Sequence, residues 1–282
     1  MEGYGSLTEG KKKMKTLILG KDFETEMFEE HFEEVEEKSL ADTMITMNGG
    51  SEVLINGEDI ETWDAVYIQP ESKAVQFSRV LMETLSLKEI NCNLNTSVFI
   101  PVKKPYLLQV LSEKEVKTPV QTSISTEKGL TEIEKEVEFP VVTKKYRNLD
   151  LEETKIFDNF ENLKKFCENT EHGESFVVIQ EYSEEDVFDI LYIDGDIISL
   201  KLEDNPWSSE EVVTGKYHSL SDKQKEVVKD AVSAIGLKIC SLRLNGTEVM
   251  DVKNDPQLER FREESGKNVY GRVASMLEGD QD

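Results

Sequence analysis

The chain has 282 residues, of which 38% are hydrophobic, so it is long enough to bury a sizeable core and to form two or three subdomains. Asp and Glu total 58 against 33 Lys and Arg. The resulting net charge of −25 excludes a general affinity for nucleic acid, because binding the phosphate backbone needs clustered cations. Two interpretations of the acidity stay open: a surface that favours solubility, or adaptation to a halophilic habitat where salt screens the self-repulsion.

The first 13 residues are rich in Gly, end in Lys11-Lys12-Lys13 and lack the apolar stretch of a signal peptide, which predicts a short disordered leader. No apolar run approaches the roughly 20 residues that a helix needs to span a bilayer. The three cysteines, Cys92, Cys167 and Cys240, form no CxxC pair, and the three histidines show no ligand spacing. These features predict a cytoplasmic protein with free buried thiols, no membrane association and no zinc site.

Residues 14–90 alternate between strand and helix patterns, which predicts a small α/β domain with a mostly parallel sheet. The apolar runs at 15–20 and 63–68 predict buried strands. The Glu-rich segment 22–38 carries Phe, Met and Val at helical spacing and predicts an amphipathic helix with a solvated acidic face. Residues 74–87 predict a second helix of this domain.

The next part of the chain contains an ordered series of landmarks. Lys104 and Pro105 precede a predicted helix over 106–115. The run Phe139-Pro-Val-Val-Thr-Lys144 predicts a strand that ends in a cation. A helix over 159–168 and a strand over 175–182 follow, with Leu163 and Cys167 among the inward-facing positions of the helix.

The C-terminal part carries strong local signals. Ser221-Asp-Lys-Gln224 is typical of a capping box and predicts a helix that ends at Gly236. Turn signals at Asp194-Gly195-Asp196 and Asn245-Gly246 predict two β-hairpins, the second of which joins strands at 237–244 and 248–253. A final helix is predicted over roughly 266–279.

The order and spacing of these landmarks resemble the ATP-grasp fold over roughly residues 90–280, closest to the ribosomal-protein glutamate ligases (RimK-like). The resemblance implies an N-terminal pre-ATP-grasp α/β domain at 14–90, followed by a two-lobed α+β ATP-grasp module. Lobe A would span 91–180 and lobe B 181–282, with the strands of both lobes facing one cleft.

The resemblance implies ATP as the bound nucleotide. Lys144 stands where the family has a lysine that reaches the phosphates, and a cation there neutralises anionic oxygens without proton transfer. The hinge that contacts adenine corresponds to Gln180-Glu181-Tyr182, and the acid that binds the ribose corresponds to Asp189. Lys104 corresponds to a lysine at the entry to lobe A. An exposed strand-end lysine and a plain hairpin over 180–198 are the alternatives that involve no ligand.

The metal site of the family is altered in this sequence. The resemblance implies Mg²⁺ ligands at an Asp and a Glu-x-Asn, and this chain has Arg243, Asp251 and Lys253 there. Arginine and lysine have no acceptor for a cation, whereas Asp251 does, and a one-residue slip would add Asn254. We therefore expect at most one Mg²⁺, on Asp251 and Asn254, and contacts from Arg243 or Lys253 to the ATP phosphates.

Three hypotheses about function stay open. The resemblance implies an ATP-dependent carboxylate-amine ligase that works through an acyl phosphate, with a small molecule or a peptide as the carboxylate. The altered metal site favours a pseudoenzyme that binds a nucleotide, a protein partner or a second copy of itself. The third hypothesis is an unrelated α/β protein. The catalytic residues stay unassigned.

Overall fold

The structure is a computed structural model, and it describes residues 12–20, 25–48, 52–69, 74–94, 104–124, 129–130, 134, 138–147, 150–168, 175–203 and 214–279. The described residues form 16 β-strands and seven α-helices. The strands are Lys12–Leu19 (β1), Phe32–Lys38 (β2), Ile45–Asn48 (β3), Glu52–Ile55 (β4), Glu58–Asp59 (β5), Ala65–Ile68 (β6), Asn91–Cys92 (β7), Gln121–Ile124 (β8), Val141–Arg147 (β9), Asp150–Phe157 (β10), Ser175–Glu181 (β11), Val187–Ile193 (β12), Asp196–Leu202 (β13), Gly215–Tyr217 (β14), Ile239–Asn245 (β15) and Glu248–Lys253 (β16). The helices are Thr25–Glu29 (α1), Val75–Leu87 (α2), Lys104–Glu113 (α3), Phe160–Glu168 (α4), Asp222–Ile235 (α5), Leu258–Ser265 (α6) and Val269–Glu278 (α7).

The N-terminal part of the chain forms a parallel sheet in the order β2-β1-β6-β7, in line with the alternating strand and helix patterns. Both faces of this sheet are covered, so the apolar runs of β1 and β6 are buried. Leu17 and Leu19 pack with residues of α2 on one face, whereas Ile18 and Tyr67 pack with residues of α1 and α7 on the other. A small antiparallel sheet, β3-β4-β5, adds Ile55 to the first of these clusters.

The prediction of one helix over residues 22–38 is wrong. Only Thr25–Glu29 is helical, and Phe32–Lys38 runs as strand β2 parallel to β1. Phe28 and Phe32 are both buried and stack with ring centroids 6.0 Å apart, so their helical spacing reflects packing across a helix-to-strand turn. Backbone pairing with β1 outweighs the helix preference of Glu, because tertiary context overrides local propensity. The acidic side chains stay in water because β2 is an edge strand.

Two antiparallel sheets follow the N-terminal domain. In the first, β10-β9-β11-β8, Leu163 and Cys167 of α4 are buried against Val177 and Ile179. The second has the order β14-β13-β12-β15-β16. Helices α3 and α5 cover one of its faces, and α6 and α7 pack on the other. The predicted limits of the lobes and of the N-terminal domain stay predictions.

The local turn and cap signals are confirmed. The Ser221 hydroxyl accepts from the Gln224 backbone N–H, while the Gln224 side chain accepts from the Ser221 N–H, so both halves of the capping box form. Gly236 ends α5 in the left-handed conformation, with φ of 74°. The turns between β12 and β13 and between β15 and β16 stand at the predicted Gly195 and Gly246.

Two further features differ from the predictions. β1 begins at Lys12, so the last two residues of the predicted leader belong to a strand, and residues 1–11 lie outside the described part. The chain after β16 forms two helices, α6 and α7, where one over 266–279 was predicted. Gly266, with φ of 65°, ends α6 and separates them. No helix in the described part of the chain is long and apolar enough to cross a membrane.

Candidate active site

The two antiparallel sheets contact each other through β9 and β16. Lys144 on β9 is buried, and its Nζ donates a hydrogen bond of 3.1 Å to the backbone carbonyl of Met250. Val142 and Met250 belong to one apolar cluster, which Val187, Leu202 and Tyr182 complete. In the register between β15 and β16, Met250 has no partner residue on β15, which is the pattern of a β-bulge. Bulges re-aim side chains beside functional sites, and this one presents Met250 to the other sheet.

The side chains of the first sheet that face this contact follow from its register. Gln180 on β11 stands opposite Val142, and Val178 stands opposite Lys144. Residues directly opposite in an antiparallel pair share a face, so Gln180 and Lys144 lie on the face that meets the second sheet. The Gln180 amide donates to Gln121 Oε1 at 3.1 Å, while its own buried Oε1 accepts no hydrogen bond from the residues that the structure describes.

A row of charged residues crosses the second sheet. Asp189 on β12 stands opposite Arg243 on β15, and Arg243 stands opposite Asp251 on β16. The Arg243 guanidinium binds the Asp189 carboxylate through two hydrogen bonds, Nε to Oδ1 at 2.7 Å and Nη2 to Oδ2 at 2.9 Å. This two-point geometry is the strongest form of an ion pair between side chains. The strands that were predicted to form one cleft therefore carry Lys144 and this row on facing sheets.

A second arginine reaches the same carboxylate from outside the sheet. Arg260 on α6 donates from Nη1 to Asp189 Oδ2 at 2.8 Å and from Nε to Glu264 Oε1 at 3.3 Å. Glu264 also accepts the Gly215 backbone N–H of β14 at 3.1 Å. The network ties α6 to both the centre and the edge of the sheet, so the position of Arg260 is fixed before any ligand binds.

The ion pairs determine the charge state of this site. Burial disfavours the charged form of Asp189, but the hydrogen bonds and charges of Arg243 and Arg260 outweigh it and hold the pKa of this carboxyl below its ordinary value. Burial also opposes the charge of Arg243, whereas Asp189 and Asp251 together raise its pKa. Asp189 and Arg243 are therefore both ionised at neutral pH.

A cavity of about 40 Å³ lies beside this network, with room for a few water molecules. Its charged lining comes from β12, β15, β16 and α6, and the remaining lining is two polar, one aliphatic and one aromatic residue. The lining residues are Asp189, Ser241, Leu242, Arg243, Asp251, Lys253, Gln257, Arg260 and Phe261. Three cations therefore face two carboxylates in a chain whose overall charge is strongly negative.

The residues present do not fit a two-magnesium site. The Arg243 guanidinium lies opposite Asp251 and within its electrostatic reach, at the position where the resemblance implies a first metal ligand. A single and a double positive charge about 4 Å apart repel by roughly 8 kcal/mol at an effective dielectric constant of about 20. Within the described residues, no three His, Cys, Asp or Glu side chains cluster as metal ligands would. Asp251 is the one predicted ligand that faces the cavity.

The remaining predicted residues lie around this centre. Tyr182 belongs to the apolar cluster between the sheets, and Glu181 is exposed at the end of β11. Lys253 lines the cavity, whereas the predicted metal ligand Asn254 follows β16 in a bend and is not among the lining residues. Lys104 is the first residue of α3, and its side chain lies outside the described part of the structure.

Sequence reasoning missed two residues of the site. Arg260 gave no signal, because the helix that carries it was not predicted. Tyr146 follows Lys144 by two positions on β9 and therefore shares its face, so strand alternation alone could have identified it. Tyr146 is buried and stacks on Phe176, with ring centroids 5.1 Å apart. Burial and, to a smaller extent, the charge of Asp251 raise the pKa of its phenol.

Two facing antiparallel sheets behind an N-terminal parallel sheet are the architecture of the ATP-grasp fold, and solved structures show that this chain has it. PsnB, an ATP-grasp ligase complexed with a minimal precursor, matches with a TM-score of 0.75 at 13% identity. The match covers 94% of this chain and 98% of the PsnB chain. The macrocyclase MdnC from Microcystis aeruginosa MRC, bound with the precursor peptide MdnA, matches with a TM-score of 0.67 at 12% identity, covering 94% and 99%. D-alanine--D-alanine ligase from Bacillus anthracis, complexed with ATP, matches with a TM-score of 0.62 at 15% identity, covering 94% and 96%.

No protein-family model and no curated protein matches the sequence. The ATP-grasp fold was therefore predicted from the order of landmarks and is confirmed by structure alone. The hypothesis of an unrelated α/β protein is wrong. The narrower likeness to the RimK-like ligases stays a prediction.

Proposed function

We propose that this chain is an ATP-dependent ligase that joins a carboxylate to an amine, with a peptide as the source of the carboxylate. The observation that carries the proposal is the hydrogen bond of 3.1 Å from Lys144 on β9 to the backbone of Met250 on β16. It places a buried ammonium from one sheet beside the strand that carries Asp251. A fixed cation in such a cleft stabilises the negative charge of a phosphoryl group during transfer.

ATP is the nucleotide proposed for this cleft. Lys144 would contact its phosphates, and the hinge Gln180-Glu181-Tyr182 its adenine. The buried Oε1 of Gln180 supports this role, because an acceptor with no donor among the described residues costs free energy that an adenine amino group would remove. Asp189 would face the ribose, since its carboxylate has about four acceptor sites and the two arginines occupy three.

The proposed substrate class rests on the similar proteins. PsnB is complexed with the precursor peptide PsnA2 and AMPPNP in one structure, and with a minimal precursor, Mg and ADP in another. MdnC is bound with a precursor peptide, and a ligase from Chryseobacterium gregarium is in complex with ADP and a leader and core peptide. Because these peptide-bound proteins match nearly the whole chain, we extend a peptide substrate to it.

The proposed reaction has two steps. An oxygen of the substrate carboxylate attacks the γ-phosphorus of ATP, the bond to the β-phosphate oxygen breaks, and ADP leaves. The amine then attacks the carbonyl of the acyl phosphate, loses a proton and expels phosphate, which leaves an amide. Lys144 on one side of the cleft, with Arg243 and Arg260 on the other, would stabilise the charge that passes through both steps.

A second candidate is a nucleotide-binding module that transfers no phosphate. The specific observation in its favour is the ion pair of Arg243 with Asp189, at a position where the resemblance implies a metal ligand. The loss of a metal at that position would remove charge stabilisation that phosphoryl transfer needs. Both candidates predict nucleotide binding, and they differ in turnover.

Trapping of the acyl phosphate separates the two candidates. The protein would be incubated with ATP, hydroxylamine and a panel of carboxylates: glutamate, aspartate, D-alanine and short peptides that contain them. The ligase proposal predicts ADP and a hydroxamate in equal amounts for one carboxylate class, because hydroxylamine replaces the amine. Lys144→Ala should abolish both products, while Lys223→Ala, on the exposed face of α5, serves as the matched control. ATP binding without either product would select the second candidate.

A further inference from the structure

The charged cavity between β12, β15, β16 and α6 leads to an inference that rests on the proposed nucleotide site and goes beyond it. We infer that this site binds the phosphates of its ligand without a divalent ion. Arg243 and Arg260 are the fixed cations that take the place of the metal, and Asp189 is their internal counter-ion until a phosphate arrives.

The local charge supports an anionic ligand. The cavity lining carries Arg243, Arg260 and Lys253 against two carboxylates, while acids outnumber bases 58 to 33 in the whole chain. A concave site with an excess of one charge raises the local concentration of ions of the other charge. This cavity therefore attracts an anion on a molecule whose overall field repels one.

The geometry makes the two arginines a preformed binding site. Arg243 comes from the centre of the sheet and Arg260 from helix α6, and both contact Asp189 at 2.7 to 2.9 Å. Asp189 accepts hydrogen bonds from two N–H groups of Arg243 and from one of Arg260. Planar guanidinium groups match the spacing of phosphate oxygens, so this pair suits a phosphoryl group better than a lone ammonium would.

Any anion that enters the cavity competes with Asp189 for the hydrogen bonds of Arg243 and Arg260. Its side chain is 9% exposed, whereas those of Arg243 and Arg260 are 24% and 15% exposed, so a ligand reaches the arginines more readily than the carboxylate between them. A phosphate that binds must share or displace the hydrogen bonds of Asp189. The carboxylate therefore weakens phosphate binding while it keeps the empty site stable.

The first test is metal dependence. Isothermal titration with ATP would be run in EDTA and in Mg²⁺, on the unmodified protein and on Arg243→Leu. We expect equal Kd values in the two buffers and a Kd that rises at least about tenfold in Arg243→Leu, which loses charged hydrogen bonds. Arg272→Leu is the matched control, because Arg272 pairs with Asp196 outside this site. The double reversion Arg243→Asp with Lys253→Asn should make ATP binding depend on Mg²⁺.

The second test isolates the counter-ion. Inorganic triphosphate has no ribose, so it reports on the arginines without the proposed ribose contact of Asp189. We expect Asp189→Asn to bind triphosphate several-fold more tightly in EDTA, because the arginines lose their competing anion. If Arg243→Leu fails to fold, it is replaced by a double variant, Asp189→Asn with Arg243→Gln, which is called the neutral pair. The neutral pair should bind triphosphate less tightly than Asp189→Asn does.

The outcomes distinguish this inference from the ligase proposal. ATP that binds only with Mg²⁺ and is indifferent to Arg243 overturns the metal-free site and leaves the ligase proposal standing. Equal triphosphate affinity in the neutral pair and in Asp189→Asn also overturns the inference. Metal-free binding with no hydroxamate supports the inference and rejects the ligase proposal. No ATP binding in either buffer rejects both.

Discussion

Asp189 is the residue on which the charges of the candidate site converge. Its carboxylate accepts three hydrogen bonds from Arg243 and Arg260 at 2.7 to 2.9 Å, and it is buried. Removing one partner of a buried ion pair leaves an uncompensated charge, which costs far more than the pair itself contributes. The ion pairs of Asp189 therefore contribute to the stability of the fold in addition to any role in ligand binding.

We expect Asp189→Asn to lower the free energy of unfolding by about 3 to 5 kcal/mol at neutral pH, because two arginines lose their carboxylate. The pKa of Asp189 in the folded state lies below the unfolded value of about 3.9, so this stabilisation is fully present above that pH. It is lost as the pH falls through the folded-state pKa. Urea unfolding from pH 7 down to pH 3 measures the difference between the two proteins.

The control for this prediction is Asp196→Asn. Asp196 pairs with Arg272 at 2.8 Å, but its side chain is 58% exposed, so its loss should cost less than about 1 kcal/mol. A gap between unmodified protein and Asp189→Asn that persists unchanged at pH 3 would contradict the ion-pair account.

The site residues that a strand motif carried stay predictions, but their strands formed and lie in two sheets that contact each other. Lys144 and Asp189 were identified from motifs on β9 and β12, and the structure brings both strands to the cleft. Arg260 could not be identified, because its contact with Asp189 depends on how α6 lies across the sheet. That placement is a tertiary property, and no local pattern encodes it.

At the scale of elements, caps and hairpin turns were predicted well because their signals are local. The capping box of α5 and the turns at Gly195 and Gly246 depend on residues within four positions of each other. The pairing of β2 with β1 joins segments separated by a helix, and the Glu-rich composition of β2 pointed the other way. Non-local pairing thus overrode local propensity in β2, whereas the cap and the turns formed as their local signals predicted.

We expect Ser221→Ala to lower the free energy of unfolding by about 1 kcal/mol, because α5 would lose the acceptor for the Gln224 N–H. Gln224 also donates to the Gly246 carbonyl at 2.9 Å, so the cap is joined to the β15–β16 turn. Urea denaturation of the variant provides the measurement. Ser221→Thr should retain most of the stability, and equal stability of the Ala and Thr variants would show that the cap contributes nothing.

The whole molecule combines a strongly acidic surface with a cationic cavity. The net charge of −25 creates self-repulsion that salt screens, and the screening length falls from about 10 Å at 0.1 M to about 3 Å at 1 M. The edge strand β2 alone carries four glutamates and one lysine. The two interpretations of the acidity, solubility and salt adaptation, differ in how strongly stability should respond to salt.

We expect the Tm to rise by a few degrees between 0.1 and 1 M KCl, because screening relieves repulsion in the folded state. Differential scanning fluorimetry gives the Tm, and a parallel series in sucrose separates screening from the general effect of excluded solutes. A Tm that stays constant in KCl would mean that the acids repel one another too weakly to matter. A much larger rise than in sucrose would favour salt adaptation.

The global fold was predictable because the order of landmarks spans most of the chain, so single failures such as β2 did not change the conclusion. The contacts between the N-terminal domain and the rest were not predictable. One hydrophobic cluster joins Ile18 of β1, Leu191 of β12 and Val273 of α7. Residues so far apart in sequence show no shared pattern, and only the packed structure reveals that they form one core.

Helix α7 completes the N-terminal domain from the far end of the sequence. Tyr270 meets the Phe28 ring edge-on with centroids 5.1 Å apart, and Asn91 beside β6 donates to the Glu278 carbonyl at 3.3 Å. During translation, β1 and α1 leave the ribosome some 240 residues before α7 does. The core around β1 and α1 therefore closes only after α7 has been synthesised, and a nascent chain would carry that open apolar face until α7 emerges.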